Sequence, residues 1–136
     1  LVVDDSELIS EPDTVIVEVR DTTPPQIAAM ATLGMLWPPD GRFVDVSFSV
    51  SAADRCDPAP AVALLEVASS EPAGGRPGAQ FQGAATGLDD RLISLRADRS
   101  GAGPGRTYLV TYRTTDASGN TATAGAVILV PHDRGR

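Results

Sequence analysis

The chain of 136 residues contains no lysine, one histidine, one cysteine and one tryptophan, and aromatic residues make up only 4% of it. A single histidine cannot supply the several ligands of a zinc site, and a single cysteine cannot form an internal disulfide. The eleven arginines are scattered and the net charge is −7, so the clustered cations that bind nucleic-acid phosphates are missing. No apolar run approaches the roughly 18 residues of a membrane span. We therefore expect no zinc, no nucleic-acid partner and no membrane insertion.

Arrangements of residues that carry catalysis are also missing. His132 lies in the C-terminal tail, and no serine stands in a Gly-x-Ser-x-Gly motif. Asp89 and Asp90 are adjacent, so on a strand their carboxylates would point to opposite faces. The glycine-rich residues 101–105 precede a strand pattern rather than a helix, which favours a flexible connection over a phosphate-binding loop. The sequence predicts a protein that is not an enzyme.

The strongest positive signal is the alternation of apolar and polar residues in short segments separated by Pro, Gly, Asp and Ser. This period of two predicts half-buried β-strands. Counting from Ile27 gives about seven strands, at 27–33, 43–52, 62–69, 80–82, 91–97, around 108–112 and 121–130. Seven short strands spaced by turn signals are typical of a sandwich with Greek-key crossings. The predicted fold is all-β, an immunoglobulin-like seven-strand β-sandwich with an additional N-terminal strand or arm.

The chain divides into three parts at a pair of prolines. Residues 14–20 are rich in β-branched residues and predict a strand, which Pro24 and Pro25 separate from the rest. We expect residues 1–20 to be the terminal strand or strands of a preceding domain or a docking arm, 21–25 a linker, and 26–133 the sandwich. Two alternatives for residues 1–20 stay open: an extra edge strand of the same domain, and an arm that adds to a neighbouring molecule's sheet.

Seven short motifs support a family resemblance. They are DTTPP at 21–25, LWPPDGR at 36–42, SFSVSAADRCDPAP at 47–60, SSEP at 69–72, LRADRSGAGPGRTY at 95–108, TDASGN at 115–120 and VPHD at 130–133. Residues 21–133 resemble a bacterial extracellular immunoglobulin-like module of the hyalin-repeat kind. The preceding LVVDDSELISEPDTVIVEV is similar to the last hairpin of a polycystic-kidney-disease-type domain.

The resemblance implies a structural or binding role outside the cell and no chemistry. It also implies a partner cysteine near Val62 or Thr114 in many relatives, whereas Cys56 stands alone here. Stability would then depend on packing, without the roughly 2–4 kcal/mol that a disulfide contributes.

Two unusual side chains each have two interpretations. An unpaired cysteine usually behaves as a small buried apolar residue, and we expect this of Cys56. Trp37 is expected to fill a corner of the core because the chain has few other large residues. The alternative is that Trp37 stacks on a sugar.

The predicted topology gathers acidic residues at one end of the sandwich. The linker, the loop after the second strand and the last hairpin turn meet there, and they carry Asp21, Asp54, Asp57, Asp116 and Asn120. Asp89 and Asp90 are expected at the same end. Calcium takes six to eight oxygen ligands of this type, so these residues are candidate ligands of an interdomain Ca²⁺. The alternative is that Asp and Asn only stabilise turns.

These features predict a non-enzymatic structural or adhesion module of a secreted or cell-surface multidomain protein, with an extracellular location. Its expected partners are adjacent domains of the same chain or neighbouring copies of itself. Two other functions remain open: a subunit of an extracellular filament assembled through the N-terminal strand, and a carbohydrate-binding appendage of a secreted hydrolase.

Overall fold

A computed structural model describes residues 11–71 and 79–133 of the chain. Within these ranges it contains strands and no helix, and so no helix that could cross a bilayer. The strands are β1 (Gln26–Ala31), β2 (Phe43–Ala53), β3 (Ala61–Ser69), β4 (Phe81–Gln82), β5 (Leu92–Arg96), β6 (Gly105–Thr115) and β7 (Thr121–Pro131). Each corresponds to one of the predicted strands, so the all-β prediction is confirmed. Residues 1–10 of the predicted hairpin at 1–19, and residues 72–78 of the connection predicted at 71–78, lie outside the described residues.

The strands form two antiparallel sheets, with the orders β1-β2-β5-β4 and β3-β6-β7. This is the strand order of a seven-strand immunoglobulin-like sandwich. The pair of β6 and the edge strand β7 is long and regular, and it stays in register from Gly105 opposite Pro131 to Thr115 opposite Thr121. Val62 and Thr114, where the resemblance places a partner cysteine, lie opposite each other on β3 and β6.

The core fills the space between the two sheets with the apolar rows that the alternation predicted. Phe48 of β2 and Tyr112 of β6 meet across the sandwich with their ring centroids 5.8 Å apart. The other buried apolar residues of the strands are Val46, Val50, Leu64, Ile93, Leu95, Tyr108, Val110, Ala126, Ile128 and Val130. Most come from alternate positions of central strands, where period two places side chains on one face.

Leu36 takes the place in the core that we expected Trp37 to fill. Leu36 is 1% exposed, whereas Trp37 is 38% exposed. A backbone hydrogen bond explains why Leu36 is buried and Trp37 is not. The Leu36 N–H donates to the Leu129 carbonyl and joins this segment to the edge of β7. Neighbouring residues of an extended segment face opposite sides, so burying Leu36 turns Trp37 outward.

Residues 14–20 do not form the strand that their composition predicted. No secondary structure is assigned to residues 11–20, and every one of them is exposed. The physical reason is that a strand needs a neighbour to satisfy its backbone groups, and the described sandwich pairs none of its strands with this segment. We call residues 11–20 the N-terminal arm.

Tyr112 predicts how stability depends on alkaline pH. Burial, together with the nearby Asp90 and Asp89 charges, raises the pKa of Tyr112 from 10.0 to about 12. The phenol also donates to the Asp90 carbonyl at 2.7 Å. Between pH 10 and about pH 12 the tyrosine is ionised in the unfolded chain but keeps its proton in the folded protein. The free energy of unfolding therefore decreases as the pH rises through this range.

Urea unfolding of the wild type and Tyr112→Phe at about pH 8 and about pH 11 tests this expectation. The variant lacks the titrating group, so it should lose less stability than the wild type between the two conditions. An equal loss in both proteins would contradict the assignment to Tyr112.

Candidate functional site

Three segments meet at one end of the sandwich, as predicted. They are the linker at 21–25, the loop between β2 and β3, and the turn between β6 and β7. The side-chain amide of Asn120 donates to the Asp21 carbonyl at 3.1 Å, which ties the turn to the linker. The Ala117 N–H donates to Asp57 Oδ2 at 2.9 Å, which ties the turn to the loop. We call this end the acidic junction, defined by Asp21, Asp54, Cys56, Asp57, Asp116 and Asn120.

Asp116 organises the turn between β6 and β7. Its Oδ1 accepts the N–H groups of Ser118 and Asn120, and its Oδ2 accepts the Asn120 amide at 2.8 Å. Desolvation pushes the pKa of Asp116 upward, but the hydrogen bonds from Asn120 and Ser118 outweigh it and leave the pKa below 3.8. A carboxylate with this many donors is held ionised, and it fixes the turn that carries Asn120.

Asp54 and Asp57 shape the loop between β2 and β3. Asp54 Oδ1 accepts the N–H groups of Cys56 and Asp57, both at 2.9 Å. Asp57 Oδ1 accepts the Ala59 N–H at 2.9 Å, in addition to the bond from Ala117 to its second oxygen. Both oxygens of Asp57 therefore already bind backbone donors, and those of Asp116 bind two backbone N–H groups and the side-chain amide of Asn120. The turn-stabilising interpretation accounts for these two residues.

Asn120 uses its side-chain nitrogen to bind the Asp21 carbonyl and Asp116, so the carboxylates that remain as candidates for binding a cation are Asp21 and Asp54. One carboxylate oxygen from each lies within 4.8 Å of the other and of the Cys56 thiol. Asp21 Oδ1 accepts the Thr23 N–H at 3.0 Å and Asp54 Oδ1 accepts those of Cys56 and Asp57, and no backbone N–H of the described residues donates to the second oxygen of either aspartate. Two carboxylates are fewer ligands than calcium usually takes, so a bound ion would need carbonyl and water oxygens as well.

Cys56 is exposed, so the expectation that it is buried is wrong. Its position follows from the loop: the Cys56 N–H donates to Asp54 and the side chain lies at the surface beside that carboxylate. Sequence reasoning left Cys56 out of the acidic junction, although its place two residues after Asp54 was a usable signal. The Asx turn at Asp54 brings the two side chains to the same side.

Asp89 and Asp90 have partners of their own. Asp89 forms a bidentate ion pair with Arg91, in which Nε donates to Oδ1 at 2.7 Å and Nη2 donates to Oδ2 at 3.0 Å. Arg91 also donates to the Val50 carbonyl. Asp90 accepts the N–H groups of Ala85 and Leu92. No described contact joins either residue to the acidic junction, so we withdraw them from the candidate ligands.

His132 lies at the other end of the sandwich, away from Cys56. Its Nε2 is 3.1 Å from the Gly101 carbonyl in the loop before β6, and Cys56 lies near the end of β6. The eleven residues of β6 span roughly 30 Å at about 3.3 Å per residue. A thiol and an imidazole this far apart cannot act as nucleophile and base.

Asp57 offers a test of whether the junction is a structural element. Asp57→Ala removes the acceptor of two backbone N–H groups, and we expect it to lower the free energy of unfolding by roughly 1–2 kcal/mol. Arg55→Ala, in the same loop and exposed, is the matched control and should change stability by less than about 0.5 kcal/mol. Urea titration measures both, and equal effects would contradict the bracing role of Asp57.

No family model, no curated protein and no solved structure matches the chain. The likeness to an extracellular immunoglobulin-like repeat therefore stays a prediction from the motifs.

Proposed function

We propose that the chain is a non-enzymatic structural or adhesion module of a secreted or cell-surface multidomain protein, in which the acidic junction stiffens the point where the chain enters the sandwich. The supporting observation is the bond from the Asn120 amide to the Asp21 carbonyl, because it attaches the linker to the body of the domain. Pro24 and Pro25 restrict the linker further by fixing their own φ angles.

A stiff entry point suits a module that sets the direction of its neighbour. Flexible linkers let adjacent domains move independently, whereas a linker bonded to the turn between β6 and β7 restricts the direction in which a neighbouring domain can lie. The function rests on the rigidity of residues 21–25 and needs no reactive group.

Backbone NMR relaxation tests this proposal on the full chain. In the wild type we expect order parameters of about 0.85 for the amides of residues 21–23, as in rigid backbone. In Asn120→Ala we expect these order parameters to fall toward about 0.6, the upper limit for a flexible segment. Ser118→Ala is the control, because it keeps the backbone N–H that binds Asp116. A linker as flexible in the wild type as in Asn120→Ala would refute the proposal.

Calcium is a second part of the proposal, carried by the approach of the Asp21 and Asp54 carboxylates. An ion between them would relieve the repulsion of like charges and join the linker to the loop. We expect the melting temperature to be higher in about 1 mM calcium than in chelator, and Asp54→Asn to lose the difference. If the wild type had the same melting temperature in calcium and in chelator, calcium would be excluded. The rigidity of the linker would then be tested by NMR relaxation alone.

A further inference from the structure

The N-terminal arm has the pattern of a half-buried strand without a sheet. Val15, Val17 and Val19 form one apolar row, and residues 14, 16, 18 and 20 form a row that is mostly polar. The three valines are 77%, 78% and 92% exposed. Strands of this composition are stable only when a neighbour pairs with their backbone and covers their apolar row.

The edge of β7 supplies unpaired backbone groups. The Leu129 N–H donates to the Gly34 carbonyl at 3.0 Å, and the Leu129 carbonyl accepts from Leu36 at 2.8 Å, so both groups of Leu129 point away from β6. Alternate residues of a strand direct these groups to the same side. Thr123, Gly125 and Val127 therefore point theirs to the open side, and the described ranges contain no strand that pairs there.

This part of β7 lacks the usual protection of an edge. Proteins block edge strands with charged residues, proline, a bulge or a covering segment. Residues 121–127 contain no charge and no proline, and their register with β6 is regular. Strand β1 of the other sheet lies close to β7, but residues 34–36 form the hydrogen bonds to this edge, and they do so only at Leu129. Ala122 and Ala124 are only partly buried.

The arm of the same molecule leads away from this edge. Val19, Arg20 and Asp21 line a shallow surface depression together with Ser118, at the tip of the turn before β7. The bond from Asn120 fixes Asp21 at this point. The chain therefore passes over the tip of the turn and leaves the sandwich, and pairing with its own β7 would require the root of the arm to reverse.

We propose that residues 14–19 of one molecule add as a fourth strand to the β7 edge, at residues 123–127, of a second copy of the chain. The arm would satisfy the open N–H and C=O groups and place Val15, Val17 and Val19 beside the alanine row, on the same face of the extended sheet. Arm and edge are different surfaces, so the contact is head-to-tail and each added molecule presents a new edge. This partner goes beyond the proposed function, which requires only a stiff linker.

Two full-length variants test the two surfaces separately. Val15→Lys/Val17→Lys changes only exposed side chains of the arm, and Thr123→Pro removes an outward N–H of β7. By light scattering we expect the wild type to grow in mass with concentration and each variant alone to be a monomer. Mixed, the two variants should form a one-to-one dimer, because the first keeps its edge and the second keeps its arm. A monomeric wild type would overturn the proposal.

Hydrogen exchange tests the contact in the wild type alone, so a folding defect of Thr123→Pro cannot affect the result. In the concentrated wild type, the amides of Thr123, Gly125 and Val127 and those of every second residue among 15–19 should exchange at least about tenfold more slowly than in dilute protein, because local protection follows hydrogen bonding. Growth in mass without this protection would place the contact elsewhere and refute the β7 edge. The linker order parameters in dilute protein are independent of both results, so the two proposals can fail separately.

Discussion

Replacement of Arg106 by alanine is expected to lower the free energy of unfolding by about 3–5 kcal/mol. The Arg106 side chain is completely buried, and its Nε lies 3.8 Å from Glu71 Oε2. Its guanidinium also lies 5.7 Å from the centroid of the Tyr108 ring. Without the arginine, the Glu71 carboxylate would stay in a site where its side chain is only 13% exposed and would lose the cation 3.8 Å away. Leaving one charge of a buried pair alone costs more than the pair itself contributes.

The position of Glu71 makes the effect larger than that of a surface ion pair. Glu71 Oε2 accepts the Ser100 N–H at 2.7 Å, so the carboxylate is fixed by the loop before β6 and cannot turn to solvent without breaking that bond. Loss of Arg106 should therefore loosen this loop as well as weaken β6.

Urea unfolding provides the measurement, and Arg113→Ala provides the control. Arg113 lies on the same strand but is exposed, so its replacement should change stability by less than about 0.5 kcal/mol. The double variant Arg106→Met/Glu71→Leu removes both charges and should recover most of the loss. If Arg106→Ala and Arg113→Ala had similar effects, the buried pair would not contribute to stability as described.

Gly105→Ala is expected to destabilise the protein by roughly 3 kcal/mol or more, because strained backbone of this type alone costs about 1–3 kcal/mol. Gly105 has a φ of 117°, a conformation that residues with a Cβ rarely adopt. A Cβ at this position would also lie 2.6 Å from the Val130 carbonyl oxygen and 3.1 Å from the His132 nitrogen. Both neighbours are backbone atoms, so the clash cannot be relieved by rotating a side chain.

Gly34→Ala is the matched control. Gly34 also lies next to β7 and its carbonyl accepts the Leu129 N–H, but a Cβ there would meet nothing within 4 Å. This variant should be neutral within about 0.5 kcal/mol, as expected for a substitution that disturbs no packing. Thermal unfolding separates the two, and a melting temperature of Gly105→Ala equal to that of Gly34→Ala would rule out strain at Gly105.

The strands could be predicted because they carry a signal that survives without tertiary information. On β2 and β6 the apolar row repeats every second residue, and this period alone determines which side faces the core. Arg106 occupies the same inward row as Tyr108, although a charged side chain is usually exposed at the surface. Its burial depends on Glu71, which is far away in sequence, and no local pattern contains that pairing.

The candidate site was predictable in its place and less so in its chemistry. Strand order brings the linker, the loop and the turn together, so the meeting of Asp21, Asp57 and Asn120 followed from topology. The use of each carboxylate oxygen depends on backbone dihedral angles in the turns, which residue types restrict but do not determine. Asp57 and Asp116 therefore serve as turn acceptors, a role that the sequence could state only as an alternative.

The parallel bridge between Met35 and Leu129 has a mechanical consequence. The chain enters at Asp21, at one end of the sandwich, and β7 leaves at the other end beside Gly105. Tension between these two points would pull the segment around Met35 and β7 in opposite directions along their length. The bonds of Leu129 to Gly34 and Leu36 would be loaded in shear, so they would have to break together and not one after the other as in a peeled hairpin.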